Sequence, residues 1–378
     1  MVTTSRADYG HLYWVLKALE SDPRVTLQLV VAGSHFSKRH GSSYRRIIAD
    51  GFRPAAVVRT TVVADTDAAA AAAVGRLTIG LGNVFADLRP DLMVILGDRY
   101  ELLGAAAVAT VFRVPIAHLH GGESTAGAID DNVRHALSKL SHVHLVAAKP
   151  YAARLRRMGE ERRRIYVVGA PGLDHLRRTR LPNSDAVMET LRIPVADPRP
   201  LLLVTFHPAT LHRGTAGRDA TALARALATL PARIVVTAPG ADPEYRSVVA
   251  ALRRRAHRGS TVRFVADLGT AAYWSLMAVA DAVVGNSSSG IIEAPSFGTP
   301  VVNIGDRQDG RLRAANVIDV PLAADAIARG LRRALTPTFR RRARRAKNPY
   351  GGPGASDRIA TLLATLPLDE RLRQKRIV

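Results

Sequence analysis

A chain of 378 residues with 47% hydrophobic side chains is long enough to bury two cores, and its lack of cysteine excludes disulfides, thiolate nucleophiles and Cys-based zinc sites. A net charge of +22 leaves nucleic acid, an anionic membrane surface and small acidic ligands as partner classes. Only six of the 54 basic residues are lysine, however, and the arginines fall in helix-like runs such as "RLRRMGEERRR" and "FRRRARRAK" with few aromatics between them, so neither nucleic acid nor membrane is the expected partner.

In chain order, short apolar runs alternate with longer helix-like segments. The first half predicts strands at "VTLQLVVAG" from Val25, "DLMVILG" from Asp91, "VPIAHLH" from Val114, "HVHLVAA" from His142 and "RIYVVG" from Arg164. The second half repeats the scheme with "PLLLVTFH", "ARIVVTA", "STVRFVA", "ADAVVG" and "TPVVNIG". Continuous Val/Ile/Leu runs separated by helices imply parallel strands covered on both faces. The expected class is α/β, with two doubly wound Rossmann-like domains over residues 1–172 and 185–350, a linker around 171–185 and a C-terminal helix and tail over 351–378. The dinucleotide fingerprint is missing: "GLGNVF" from Gly80 has Phe85 in place of the third glycine and reads as helix packing. No run approaches the roughly 20 apolar residues of a membrane span. "MVTTSRADYG" has no basic region followed by an apolar core, and the expected location is the cytoplasm.

Ligands of such sheets bind beyond the carboxyl ends of the strands, and the chemically capable residues cluster there. "LGDRYE" puts Asp98 and Arg99 directly after a strand, as a ligand pair or as a helix cap with a surface ion pair. "HLHGGESTAGAIDDNVRHALSKLSH" carries Glu123, Asp130 and Asp131, His118, His120 and His135 and a diglycine within eighteen residues. The acidic pair also suits a helix start, and His135 can pair with Asp131 at i+4. Together they favour an acid/base site able to remove a carbon-bound proton. The i, i+4 histidine pair of a zinc hydrolase is absent, and no metal is expected. "TFHPAT" ends a strand with His207. "GNSSSGIIEAPSFG" sets three serines, Ser287 to Ser289, at a strand-to-helix turn, where hydroxyls and unpaired N–H groups suit a phosphate. A serine cap is the purely structural alternative. Arg307, Arg311 and Arg313 follow as possible diphosphate clamps.

Taken together, "SRADYG", "GSHFS", "LGDRYE", "HLHGGE…GAIDDNVRHALSKLSH", "VGAPGLD", "TFHPAT", "GNSSSGIIEAPSFGTPVVNIGDRQDGR" and "KNPYG" resemble the hydrolysing UDP-N-acetylglucosamine 2-epimerases over nearly the whole chain. The resemblance implies a glycosyltransferase-B type fold with an interdomain cleft, and a C-terminal helix returning to the first domain. It implies loss of the sugar C2 proton with departure of UDP from C1, a 2-acetamidoglucal intermediate, and hydration to N-acetylmannosamine, without a cofactor. By motif, Arg6, Arg99, His207, Ser287, Ser288, Glu293 and Arg307 would bind UDP, while Asp98, Glu123, Asp130 or Asp131 would act at the sugar. His120 stands where some relatives carry a glutamate and enters as a proton-transfer candidate; Gly240 replaces an asparagine expected near the nucleotide. A homo-oligomer, dimer or tetramer, is expected. The alternatives are a non-hydrolysing epimerase that keeps UDP on the sugar, a 2-epimerase of a UDP-2,4-diacetamido-6-deoxy sugar and, more remotely, a nucleic-acid-binding module.

Overall fold

The computed structural model of the protein describes residues 1–37, 43–60, 66–239, 243–256 and 261–376. The chain forms two compact units: Met1–Glu123, Ile129–Arg178 and Tyr350–Val378 in the first, Ser124–Ala128 and Thr179–Pro349 in the second. The expected span 1–172 is therefore interrupted by Ser124–Ala128. Within the second unit Ala126 N donates to Asp309 O at 3.0 Å. A Cβ on Gly127 would stand 2.8 Å from Arg307 Cα, so only glycine allows that approach.

In the first unit β1 (Val2–Thr3), β2 (Val30–Ala32) and β3 (Ala56–Val58) form one parallel ladder, and β4 (Met93–Leu96), β5 (Ile116–Leu119), β6 (Val143–Val146) and β7 (Ile165–Val167) a second. β1 packs beside β4. Alternate residues point to opposite faces, as strand geometry requires. Val31, Val94, Leu96 and Ala117 pack with Leu12, Leu16 and Ile359 on one side; Val30, Met93, Ile95 and Ile116 pack with Leu77, Leu81 and Leu137 on the other. Each fully buried Val, Leu or Ile contributes about 1.5–3 kcal/mol. The C-terminal helix Ala355–Thr365 lies on the helix Arg6–Glu20, and the Asp174 carboxylate accepts from Ser356 N at 2.6 Å.

The second unit has one six-stranded parallel sheet of β8 (Leu201–Thr205), β9 (Arg233–Thr237), β10 (Val262–Val265), β11 (Ala282–Gly285), β12 (Val301–Ile304) and β13 (Val317–Val320), in the order β10-β9-β8-β11-β12-β13. Leu202, Val204, Ile234 and Val284 enter the core on one face, Leu201, Leu203, Val235 and Val283 that on the other. Strand order reverses between β8 and β11, and that switch point is where doubly wound sheets leave a crevice for a ligand.

The strand expected from Val25 shrinks to Val30–Ala32, the stretch paired with both β1 and β3. β1, β3 and β13 were not among the predicted strands. The helix Asp67–Leu88 corrects the membrane reading: by length and composition it could cross a bilayer. In this fold it buries Ala73, Leu77, Leu81 and Phe85 against the first unit's sheet.

Candidate active site

In the first unit the carboxyl ends of β4 and β5 are tied together. Gly97 N donates to Leu119 O at 2.9 Å, and His118 Nε2 bonds Gly97 O at 2.7 Å. Because a carbonyl only accepts, Nε2–H is the donor, and Nδ1 of the neutral ring accepts from Ser138 Oγ at 3.2 Å. Burial lowers the His118 pKa to about 3, so the ring is a neutral strut beneath the turn that presents Asp98.

Asp98 is bonded to the guanidinium of Arg134, a fully buried side chain of the helix Asp130–Leu140. Arg134 Nη1 also lies 3.6 Å from Asp131, and His135 Nε2 lies 3.5 Å from the other Asp131 oxygen. One buried cation thus gathers Asp98 and Asp131, which both keep partial exposure. Asp130 opens the same helix. Sequence reasoning missed Arg134; its i+3 spacing from Asp131 and its place between the buried Val133 and Leu137 were the available signals.

Glu123 is fully buried and bonds His120 Nδ1 at 2.6 Å. His120 holds φ +62°, a left-handed conformation rare outside glycine, with its N–H bonded to Leu145 O at 3.1 Å. Such strain concentrates at functional sites. His120 Nε2 is enclosed and has no hydrogen-bond partner among the described residues. The diglycine is needed here, since a Cβ on Gly122 would meet Tyr151 O at 2.6 Å. Arg99 reaches back to the buried Glu101 at 3.0 Å, and Arg6 stands at the first turn of its helix, one residue after the Ser5 cap. Among the described residues no group of three His, Asp or Glu is placed to hold a metal ion.

In the second unit the ends of β8 and β11 are laced by Asn286. Its amide accepts from His207 N at 2.7 Å and donates to His207 O at 2.9 Å, a reciprocal pair that fixes the His207 backbone. Gln308 Nε2 and Arg307 Nη1 donate to Asn286 O at 2.8 and 3.3 Å, so Arg307 is held at the serine turn. Ser287 caps the helix Ser288–Ile292, its hydroxyl accepting from Ser289 N at 3.4 Å. That helix breaks at Glu293, because Pro295 has no N–H to extend it, and resumes as Ala294–Phe297. A five-residue helix has little macrodipole, so the anion-holding capacity of the turn lies in its hydroxyls and local N–H groups. Glu293 is buried at the break. Arg313 is turned away from any clamp by Gln308 O at 2.7 Å, Arg311 O at 2.8 Å and Asp319 at 3.1 Å. Gly240 lies outside the described residues. The structure thus gathers Asp98, Asp131, Glu123 and His120 at the strand ends of one unit, and His207, Ser287, Ser288 and Arg307 at those of the other.

The family model of UDP-N-acetylglucosamine 2-epimerase matches residues 17–364. The chain belongs to the UDP-N-acetylglucosamine 2-epimerase family. Among relatives of this epimerase family, the chain is 35% identical over 99% of its length, and 97% of the other's, to UDP-N,N'-diacetylbacillosamine 2-epimerase (hydrolyzing) of Legionella pneumophila. It is 35% identical over 84% of its length, and 83% of the other's, to GDP/UDP-N,N'-diacetylbacillosamine 2-epimerase (hydrolyzing) of Campylobacter jejuni. UDP-N-acetylglucosamine 2-epimerase of Neisseria meningitidis is 30% identical, over 84% of this chain and 82% of that protein. The crystal structure of UDP-GlcNAc 2-epimerase from Neisseria meningitidis bound to UDP-GlcNAc superposes with a TM-score of 0.80 over 96% of this chain and 98% of the other, at 17% identity. That likeness shows the epimerase fold: α/β with doubly wound parallel sheets, of the glycosyltransferase-B type.

Proposed function

We propose that the chain is a hydrolysing 2-epimerase of a UDP-2-acetamido sugar. The observation that carries this reading is the carboxylate and imidazole set at the ends of β4 and β5, with Asp98 and Asp131 on one buried guanidinium and Glu123 on His120, in a chain 35% identical to two hydrolysing 2-epimerases. In the first half-reaction a base of this set takes the C2 proton as the C1–O bond breaks; UDP leaves and a C1=C2 double bond forms. In the second, water adds its hydroxyl to C1 while a proton returns to the opposite face of C2. The sum is UDP-sugar plus water giving UDP and the 2-epimeric free sugar, with atoms balanced.

Asp98 and Asp131, both at the Arg134 guanidinium and both partly exposed, are the carboxylates assigned to one of the proton transfers at the sugar. The Glu123–His120 pair is suited to carry the other transfer, its enclosed Nε2 being the exchanging atom. Asp130 is the alternative to Asp131 at the helix start. Arg6, Arg99, His207, Ser287, Ser288 and Arg307 hold the UDP phosphates and uridine, and Glu293 holds the ribose. The enzyme works as a homo-oligomer in the cytoplasm.

The names of the relatives favour the hydrolysing outcome over the UDP-retaining one. They leave two sugars in view: UDP-N,N'-diacetylbacillosamine, named for both relatives at 35% identity, and UDP-N-acetylglucosamine, named for the relative at 30%. Incubating the protein with each sugar and following products by proton NMR tests the reading. Free 2-epimer with UDP from either sugar supports it, and the faster substrate identifies the pattern preferred at C4 and C6. An epimerised sugar still joined to UDP contradicts the hydrolysing outcome.

A further inference from the structure

Behind the serine turn of the second unit lies a line of hydroxyls reaching back into the sheet. Tyr273, on the helix Thr270–Val279, sets its hydroxyl 2.7 Å from Ser289 Oγ. Ser289 Oγ donates to Ser287 Oγ at 3.1 Å, and Ser289 N donates to the same oxygen at 3.4 Å. At its far end the Tyr273 hydroxyl lies 3.4 Å from Thr205 Oγ1, which bonds Thr237 Oγ1 at 2.5 Å. Each hydroxyl has one proton, so a donation assigned at one side leaves it to accept at the other. Thr237 donates to Val204 O, and therefore accepts from Thr205. Ser289 gives its proton to Ser287, and therefore accepts at its short contact with Tyr273.

We propose that Tyr273 is a positioning residue for ligand binding: its phenol donates to Ser289, Ser289 donates to Ser287, and Ser287, already accepting twice, is left to direct its own proton at an anionic oxygen of the nucleotide diphosphate. The proposal rests on the reading that Ser287 faces that diphosphate. Chains of hydrogen bonds polarise one another, so each donation upstream makes the terminal O–H a stronger donor. Burial raises the Tyr273 pKa, which keeps the phenol protonated and the line running in one direction. The structural feature that makes this more than helix packing is its path. The donated protons run from Tyr273 on the helix Thr270–Val279 into the turn after β11 and end at the one Ser oxygen that caps the turn, while Thr205 and Thr237 pass theirs the other way to Val204 O.

The test is a double-mutant cycle read by calorimetric titration of the full-length protein with UDP. Tyr273→Phe keeps the ring and removes the hydroxyl; Ser289→Ala breaks the line at its middle and keeps the backbone N–H. Each is expected to weaken UDP binding about three- to tenfold. Neither is expected to weaken it further in a Ser287→Ala background, because the hydroxyl they orient is gone. A general loosening of the turn would instead cost the same factor in both backgrounds. Unchanged UDP affinity in Tyr273→Phe and Ser289→Ala, or equal losses with and without Ser287, overturns the positioning role. An unchanged affinity in Ser287→Ala alone overturns the underlying reading of the serine turn as well, which separates the two failures.

Discussion

Among single residues, the proposed function divides groups assigned to hold the nucleotide from groups assigned to move protons. Ser288 stands at the first position of its short helix, beside the capping Ser287. Ser288→Ala is expected to weaken UDP binding about 10- to 150-fold, the loss of one hydrogen bond to a charged group; calorimetry showing wild-type affinity would reduce the serines to a helix cap. Asp98→Asn and Glu123→Gln are expected to lower turnover on the order of 10²–10⁴-fold each while UDP affinity barely moves. Steady-state kinetics beside UDP titration checks this, and full turnover with lowered melting temperature would make both carboxylates structural. The residues proposed for these roles were legible as motifs, since charged and hydroxyl side chains stood at strand ends. Their supports were not. Arg134 is one arginine among many in an arginine-rich chain, and only the fold shows it buried against Asp98, which comes from another strand end. Tyr273 meets Ser289 sixteen positions away across a helix and a strand, a pairing that no local spacing displays.

Elements present a different balance. The apolar runs of β4, β5, β6, β8, β9, β11 and β12 were plain because both of their faces are buried. β3 and β13 were not, because each lies at the edge of its ladder with one face open: Val57 and Asp319 are exposed, which dilutes the apolar signal. β1 is two residues long and gains its identity from pairing with Val30 and Val31. The turn after β11, where the diphosphate is proposed to bind, is tightly set by its backbone. Gly285 has φ +135°, and a Cβ there would stand 1.9 Å from Thr205 O. Gly285→Ala is therefore expected to cost about 3 kcal/mol or more, roughly 6–12 °C in Tm for a unit of this size. A thermal melt within a degree of wild type would show that β8 and β11 can part without penalty.

For the whole molecule, the buried histidines make stability depend on pH in a stated direction. Burial lowers His118 to about 3 and His35 and His142 to about 4, and it lowers His144 and His175 as well; all five lie in the first unit. Below the ordinary histidine pKa of about 6.5 the unfolded chain takes up protons that the folded unit refuses, so stability is lost as pH falls from about 6.5 towards 4. Glu160 adds to the loss further down. Its burial alone would raise its pKa, but bonds from His144, Lys139 and Lys375 outweigh that and hold it at about 2, so its contribution fades as pH falls from about 4.5 towards 2. Calorimetric scans from pH 7.5 to 4 should show Tm falling through this range, and a flat profile would contradict neutral buried imidazoles. The central claim is that this molecule removes the C2 proton of a UDP-2-acetamido sugar and replaces it from solvent. The reaction run in deuterium oxide tests that most directly, with the free sugar product read by NMR and mass spectrometry. The account predicts one deuterium at C2 in essentially every product molecule, and retention of the original hydrogen at C2 would contradict it.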